Sequence, residues 1–267
     1  MSPLPPRYDC IFAPLCVDYN IISLTSAPSY VSDQLPHPHP PFPLPSLISS
    51  TPSSLQFLKT EYKSPSIVGG LKIAILNCRS LLPKLPLLTI FIQFHSVDIL
   101  FLTETWLCAS SVSSAVTIPG FQVFRRDRLR GRGGGVIILI KDSFSSCEID
   151  LINLSLPVSD LCCVDMIIDF KVFRFICVYR PQAAVIIERD DILQLCSAIK
   201  DLFRNNLFFF VVAGDLNLPD INWVSKIAPS DGVQDLFLNF LINHSLCQVV
   251  FSLLGVVILW ICSLLAH

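Results

Sequence analysis

Six short apolar runs in the middle of the chain constrain its fold more than any other feature. Each run is seven to ten residues long and rich in β-branched and aromatic side chains, a pattern typical of strands that are buried on both faces. Stretches with apolar residues at helical spacing, such as Ile192 to Phe203, lie between the runs. Strands that alternate with helices predict an α/β fold in which helices cover layered sheets. The runs are 71–77, 98–104, 135–141, 161–170, 173–179 and 207–214.

The segments on either side of this region, which we take as a domain over 70–250, have different compositions. Residues 1–65 contain 13 of the 20 prolines, so we expect a disordered Pro/Ser-rich leader with few contacts to the core. Residues 246–266 carry no charged side chain, and about 20 apolar residues can cross a bilayer as a helix. Two interpretations of the apolar tail at 251–267 stay open. It is a membrane segment, or it is a last core strand followed by a buried helix.

The overall composition bounds the compartment and the partners. The chain is 52% hydrophobic and 15% charged with a net charge of −2, so any surface that binds nucleic acid must be local. Its 11 cysteines include no C-x-x-C pair. This usage, without a basic-then-apolar run at the N-terminus, indicates buried thiols in a reducing compartment, that is, an intracellular protein. A zinc site is not expected.

Polar side chains stand where four of the apolar runs end. Asp215 and Asn217 follow the run at 207–214, and residues i and i+2 of an extended segment point to the same face. Asn77, Glu104 and Tyr179 end three other runs. Each of these residues also has a purely structural explanation. Asp-Leu-Asn-Leu-Pro is a sequence that favours a turn, and Asn77 could serve as a cap. Glu104 could be a solvated strand end, and Tyr179 could be a half-buried aromatic residue. Together at the carboxyl ends of strands, where open α/β sheets bind ligands, they predict a site for a divalent cation and a phosphate.

These segments resemble one family when they are taken in order. "LNCRSLLPK", "DILFLTETWL", "PGFQVFRRDR…GRGGGVIILIK", "VYRPQ" and "AGDLNLPDINW" are similar to the endonuclease/exonuclease/phosphatase superfamily, and in particular to the apurinic-type endonuclease domain of non-LTR (LINE-like) retrotransposons. The resemblance covers about 71–250. It implies a four-layer α/β sandwich of two mixed sheets flanked by helices. It also implies hydrolysis of phosphodiester bonds in DNA with Mg²⁺ or Mn²⁺.

The resemblance implies a role for each of the five polar residues. Glu104 is the metal ligand, and Asn77 lies in the same site beside the metal and the scissile phosphate. Tyr179 faces the phosphate, Asp215 orients or deprotonates the attacking water, and Asn217 holds the water and the phosphate in line. We therefore expect all five side chains to converge in one pocket at one end of the sheets.

Arginines near the middle of the chain are candidates for contacts to DNA phosphates. A cluster of guanidinium groups can bind phosphates without regard to sequence, although a solvated hairpin connection explains the same pattern. Arg180, in "VYRPQ", is either a further phosphate contact or the partner of a surface acid. The clustered arginines are Arg125, Arg126, Arg128, Arg130 and Arg132.

The chain departs from the family pattern in its last 50 residues. The family closes its site with a Ser-Asp-His segment on a late strand, and no Ser-Asp-His occurs here. His244 is interpreted as a helix-end residue rather than a substitute. We therefore expect a sandwich that is incomplete at the C-terminus and a catalytically impaired endonuclease. Two alternatives are a noncatalytic remnant that binds nucleic acid, and a membrane-tethered phosphoesterase that acts on another phosphate ester.

Overall fold

The computed structural model describes most of the predicted domain and two strands outside it. It describes residues 19–24, 70–248 and 256–262. Short gaps within the middle range fall at 109, 112, 129–132, 152–153, 155, 183–184, 204–206 and 208.

Eleven described strands form two mixed sheets. They are β1 (Tyr19–Leu24), β2 (Leu71–Asn77), β3 (Ile99–Thr103), β4 (Phe121–Arg126), β5 (Val136–Lys141), β6 (Ser145–Glu148), β7 (Asp160–Ile168), β8 (Lys171–Tyr179), β9 (Phe209–Asp215), β10 (Cys247–Gln248) and β11 (Val256–Cys262). The first sheet has the order β1-β2-β3-β5-β4, and the second has the order β10-β11-β9-β8-β7-β6. Within each sheet one pair is parallel, namely β2 with β3 and β8 with β9.

In the described part of the chain three α-helices flank the sheets: α1 (Leu85–His95), α2 (Val185–Leu202) and α3 (Val233–Asn243). The first, α1, has a proline in its first turn, where the missing N–H has no partner to lose. It ends where Ser96 takes a left-handed conformation with φ of 52°. Two short 3₁₀ helices, Leu82–Lys84 and Ser113–Val116, connect elements of the first sheet.

Three buried apolar layers hold the elements together. One layer fills the space between the sheets, where Phe101 of β3 meets Phe175 of β8 with their ring centroids 6.1 Å apart. A second layer joins the outer face of the first sheet to α1 through Leu88, Phe91 and Ile92. A third joins the outer face of the second sheet to α2 and α3. The predicted four-layer α/β sandwich is therefore confirmed.

The two parallel strand pairs bring the chemistry-bearing residues to one end of the sandwich. In the first sheet Asn77 lies opposite Thr103, directly before Glu104. In the second sheet Tyr179 lies opposite Asp215. Because parallel strands end at the same edge of a sheet, each pair places its polar residues side by side.

Part of the leader belongs to the first sheet. Tyr19–Leu24 form β1, which pairs antiparallel with β2 from Leu24 opposite Leu71 to Tyr19 opposite Leu76. The expectation that all of residues 1–65 stays apart from the core is wrong for these six residues. The segment "YNIISL" contains no proline, and its backbone pairs with the edge of β2 that would otherwise be exposed. The rest of the leader lies outside the described residues.

The described part of the apolar tail is a strand. Val256–Cys262 form β11, which pairs antiparallel with β9 and places Val256 opposite Asp215. These residues therefore form a strand of the second sheet, as the first part of one of the two interpretations expects. Among the residues that the structure covers, no helix is long and apolar enough to cross a membrane. The sequence of β11, "VVILWIC", contains neither the aspartate nor the histidine of a Ser-Asp-His segment.

Candidate active site

The side chain of Asn77 joins two carboxylates at the ends of strands. Its Nδ2 donates a hydrogen bond to Oε1 of Glu104 at 2.8 Å and another to Oδ2 of Asp215 at 3.0 Å. Asn77 and Asp215 are 138 positions apart in the chain, and they meet because β2 and β9 belong to facing sheets. The structure thus brings Asn77, Glu104 and Asp215 together at one end of the sandwich, as the sequence predicts.

Backbone geometry around Glu104 is unusual for non-glycine residues. Glu104 and Trp106 have positive φ values of 53° and 56°, in the left-handed region that costs most side chains energy. Hydrogen bonds to neighbouring loops fix this segment, since the N–H of Thr105 donates to Gly135 O and the N–H of Trp106 donates to Gly134 O. The turn therefore presents the Glu104 carboxylate toward Asn77 instead of continuing β3.

Burial changes the acidity of Asp215. It is 7% exposed, and burial raises the pKa of its carboxyl to about 6, with a further increase from the charge of Glu104. Hydrogen bonds from Asn77 and from the backbone N–H of Asn217 lower the pKa, as does the nearby charge of Arg79. The carboxyl group thus ionises close to neutral pH, a value that suits a general base.

Tyr179 lies beside Asp215 at the end of β8, and its surroundings keep the hydroxyl protonated. Burial raises the pKa of Tyr179 to about 12, and the charges of Glu104 and Asp215 add to the increase. The guanidinium carbon of Arg128 lies 5.3 Å from the centre of the Tyr179 ring, a distance at which a cation is attracted to an aromatic face. At neutral pH the phenol is therefore a hydrogen-bond donor.

An ion pair that the sequence did not indicate holds Arg128 over Tyr179. Nε and Nη2 of Arg128 donate to Oδ2 of Asp160 at 3.1 and 2.8 Å, and the N–H of Gly135 donates to the same oxygen at 2.9 Å. Gly134 leaves room for this pair, because a Cβ there would lie 2.4 Å from the Arg128 guanidinium. Asp160 begins β7 opposite Tyr179, a pairing between strands that no local sequence signal predicts.

Asn217 is held in the turn that follows β9. It has a positive φ of 48°, its N–H donates to Oδ1 of Asp215, and its Nδ2 donates to the carbonyl oxygen of Arg180 at 2.7 Å. Its side-chain oxygen has no protein partner among the described residues. The amide can therefore accept a hydrogen bond from a water molecule beside Asp215.

Arg180 lies in the interior and cannot contact a phosphate. It is 1% exposed, and its Nε and Nη2 lie 3.5 Å from Asp191 and 3.4 Å from Glu188. Its Nη1 donates to the carbonyl oxygen of Leu216 at 3.3 Å. The prediction of a phosphate contact is wrong for Arg180, because the fully buried Asp191 of α2 neutralises it in the core. Arg180 instead supports the turn that carries Asn217.

The arginine cluster is largely engaged within the protein. Arg125 forms an ion pair with Asp127 at 2.7 Å, and Arg128 forms the pair with Asp160 described above. Neither guanidinium group is free to bind a phosphate, because breaking either ion pair would leave the charge of a partly buried aspartate without a partner. Arg126 is exposed at the end of the outer strand β4. The remaining predicted members, Arg130 and Arg132, lie outside the described residues.

The donor set suits magnesium better than zinc. Within the described ranges no three His, Cys, Asp or Glu side chains gather into a metal-binding group. Mg²⁺ is usually held by one or two carboxylates and completes its shell with water and substrate phosphate. Glu104 and Asp215, bridged by the Asn77 amide, match that smaller requirement.

His244 takes no part in this arrangement. It caps the C-terminal end of α3, where its ring nitrogen Nδ1 lies 2.9 Å from the carbonyl oxygen of Phe240 and its ring packs 4.6 Å from the Phe240 ring. The interpretation of His244 as a helix-end residue is confirmed.

Comparison with known proteins identifies the fold through structures alone. No protein-family model and no curated protein sequence matches the chain significantly. The 3′ phosphatase NExo from Neisseria, in a structure with a product DNA hairpin, aligns at 16% identity over 72% of this chain and 86% of its own, with a TM-score of 0.53. An AP endonuclease from Archaeoglobus fulgidus aligns at 15% identity over 71% and 86%, with a TM-score of 0.51. The endonuclease domain of TRAS1, a telomere-specific non-LTR retrotransposon, aligns at 13% identity over 72% and 84%, also with a TM-score of 0.51.

Proposed function

Because the chain has the fold of the endonuclease/exonuclease/phosphatase superfamily, we propose that it is a metal-dependent phosphodiesterase that cuts DNA at a low rate. The observation that supports this most directly is the Asn77 amide, which brings the carboxylates of Glu104 and Asp215 together at the strand ends. Hydrolysis of a phosphodiester needs a cation beside the phosphate and a base beside the attacking water. This pair of carboxylates can serve both needs.

Glu104 and Asn77 would hold the cation. A bound Mg²⁺ or Mn²⁺ would neutralise charge that develops on the phosphate oxygens. Both N–H groups of the Asn77 amide are engaged with carboxylates, and its Oδ1 accepts the N–H of Arg79 at 3.3 Å. Asn77 therefore also keeps two like charges close together that would otherwise move apart.

Asp215, Asn217 and Tyr179 would act on water and phosphate. With a pKa of about 6, Asp215 is ionised at neutral pH and accepts a proton more readily than an ordinary aspartate. The free side-chain oxygen of Asn217 would orient the water. The hydroxyl of Tyr179, which stays protonated because its pKa is about 12, would donate a hydrogen bond to a phosphate oxygen.

The proposed low rate of DNA cleavage is based on the family's Ser-Asp-His segment, which does not occur in the sequence. No Ser-Asp-His segment is present, and β11 places the apolar Val256 beside Asp215. Loss of one preorganised donor to the reacting group typically costs about 100- to 1000-fold in rate. The retrotransposon type is favoured by the order of the five motifs, and the TRAS1 endonuclease domain has the same fold.

A noncatalytic protein that binds nucleic acid is the second candidate. The same absence of Ser-Asp-His supports it, because a site without that donor can still hold a cation and a phosphate. The two candidates differ in one outcome, since only the first nicks DNA.

Metal binding tests the first requirement of the proposal without depending on catalysis. We expect Mn²⁺, followed by electron paramagnetic resonance, to bind the protein at one site, and Glu104→Ala to weaken binding by at least about tenfold. Asp215→Ala should weaken it less, since its carboxylate lies across the Asn77 amide. The control is Glu148→Ala, which removes an exposed carboxylate on the outer strand β6. Equal Mn²⁺ affinity in Glu104→Ala and the unaltered protein would refute the assignment.

A further inference from the structure

Most described arginines are neutralised inside the protein, and Arg79 is not. Ion pairs with aspartates engage four of them, Arg125, Arg128, Arg174 and Arg180. Arg79 is exposed and forms no ion pair or side-chain hydrogen bond with any described residue. Its side chain is therefore free to bind an anion from solution.

The turn that carries Arg79 is fixed against the Glu104 segment. The N–H groups of Cys78 and Ser80 donate to the carbonyl oxygens of Thr103 and Glu104, both at 2.9 Å. Arg79 has a left-handed φ of 37°, and its N–H donates to Oδ1 of Asn77 at 3.3 Å. An uncommon backbone conformation that is held by this many bonds projects the side chain from a defined place beside the site.

The neighbouring lysine is already occupied. Nζ of Lys84 donates to the carbonyl oxygens of Cys78 and Arg79, so the ammonium group stabilises the turn. Arg126 and Arg189 are also exposed and unpaired among the described residues. Arg126 ends the outer strand β4 and Arg189 lies on α2, whereas Arg79 is two residues from Asn77.

The site beside Arg79 is acidic and would repel a phosphodiester. The carboxylates of Glu104 and Asp215 lie around one amide, and neither forms an ion pair with a described residue. The backbone N–H of Arg79 donates to Oδ1 of Asn77 at 3.3 Å, so Arg79 lies next to the amide that joins the two carboxylates. A guanidinium group offers a planar pair of N–H donors that matches two oxygens of a phosphate.

We propose that Arg79 is a phosphate-binding residue at the mouth of the site, where it contacts a backbone phosphate of the nucleic acid. The inference rests on the proposed function. Arg79, in the motif "LNCRSLLPK", thus replaces the buried Arg180 and the paired Arg125 and Arg128 as the candidate for a phosphate contact.

The test is equilibrium binding of a fluorescein-labelled DNA duplex to the full chain, measured by anisotropy in Ca²⁺ over about 50 to 200 mM salt. For Arg79→Ala we expect about tenfold weaker binding and a slope of log K against log salt that is smaller by about one. Arg79→Lys should keep the slope, because it keeps the charge, and lose part of the affinity, because it lacks the planar fork. The control is Lys171→Ala, which begins the strand that Tyr179 ends, about 26 Å away at about 3.3 Å per residue.

Three outcomes separate the inference from the function on which it rests. A smaller slope in Arg79→Ala, with Lys171→Ala unchanged, supports the inference. If the unaltered protein binds DNA and Arg79→Ala binds with the same slope and affinity, the inference is overturned and the proposed function stands. If the unaltered protein shows no salt-dependent binding, both are overturned. Circular dichroism of each variant checks that the fold is retained.

Discussion

At the scale of single residues, Asp215 is held in an environment that favours its neutral form. Its carboxyl is buried, it lies across an amide from Glu104, and only Asn77, the Asn217 N–H and the charge of Arg79 oppose the rise in its pKa. A group with these surroundings weakens the fold when it ionises. Catalytic sites commonly contain groups whose pKa is shifted in this way, and such groups lower the stability of the folded protein.

The first prediction concerns the stability of Asp215→Asn across pH in EDTA. The pKa of Asp215 in the folded protein, about 6, lies above its ordinary value of 3.8, so the unfolded chain releases its proton first as pH rises. The unaltered protein therefore loses stability between about pH 4 and pH 6 through this group, and the variant does not. We expect the free energy of unfolding of the variant, relative to the unaltered protein, to rise by about 2 to 3 kcal/mol over that range.

Chemical denaturation at several pH values measures that difference. Asp190→Asn, which changes an exposed aspartate on α2, is the matched control that is measured alongside. A difference for Asp215→Asn that stays constant with pH would mean that Asp215 is not held in its neutral form.

The second prediction concerns Gly134, which makes room for the ion pair over Tyr179. Gly134 has a φ of +72°, and a Cβ there would lie 2.4 Å from Arg128 and 2.6 Å from Asp160. Gly120 has a similar φ of +83° but nothing within 4 Å of the added Cβ. We expect Gly120→Ala to lower the free energy of unfolding by about 1 kcal/mol through backbone strain and Gly134→Ala by about 3 kcal/mol, because it also displaces the pair. Equal losses in thermal or chemical denaturation would show that strain alone matters.

The positions of single residues could be predicted where they depend on strand ends and could not where they depend on distant partners. Asn77, Glu104 and Asp215 were predicted together because each follows an apolar run. Arg180 also follows such a run, and its burial is decided by Asp191, which lies on the next helix. The pattern of "VYRPQ" contains no sign of that partner.

At the scale of elements, a buried ion pair joins α2 to the two turns beside the site. Asp191 is fully buried, its Oδ1 accepts the N–H groups of Val158 and Ser159, and its Oδ2 accepts the Ser159 hydroxyl at 2.6 Å. The Nε of Arg180 lies 3.5 Å from the same carboxylate. The helix thus supports the turn before Asp160 and, through Arg180, the turn after Asp215.

The third prediction compares adjacent aspartates of α2. Asp191→Ala removes the buried carboxylate beside Arg180 and leaves the N–H groups of Val158 and Ser159 without their acceptor. We therefore expect the free energy of unfolding to fall by about 3 to 5 kcal/mol. Asp190→Ala alters an exposed side chain and should change it by less than about 0.5 kcal/mol. Urea denaturation of both variants measures the losses. Similar losses would contradict the role of Asp191 as the support of these turns.

The six apolar runs predicted six of the described strands to within two residues at either end, and β1, β4 and β6 were missed for physical reasons. β4 and β6 are edge strands, and their partly solvated faces carry serine, glutamine and arginine, so no apolar run marks them. β1 was missed because prolines surround it. The helical stretch predicted at Ile192 to Phe203 begins earlier in the structure, since α2 starts at Val185.

At the scale of the whole molecule, two facing sheets explain why residues from distant motifs form one site. Each sheet contributes one parallel pair, and the polar ends of both pairs face the same end of the sandwich. The order of motifs was enough to predict this architecture. The covering of β9 by β11 could not be predicted, because the apolar tail is equally compatible with a strand and with a membrane helix.

The nicking of supercoiled plasmid in Mg²⁺ or Mn²⁺ tests the central claim most directly. We expect trace nicking at a rate at least about 100-fold below that of an intact endonuclease of the same fold assayed alongside, and loss of that trace in Glu104→Ala and Asp215→Ala. The low rate reflects the missing histidine and aspartate, and the sensitivity to both substitutions reflects the surviving carboxylates. Nicking as fast as that of the intact enzyme, abolished by both substitutions, would mean that another group replaces the missing pair. Nicking unaffected by either substitution would mean that this site is not the one that cuts DNA.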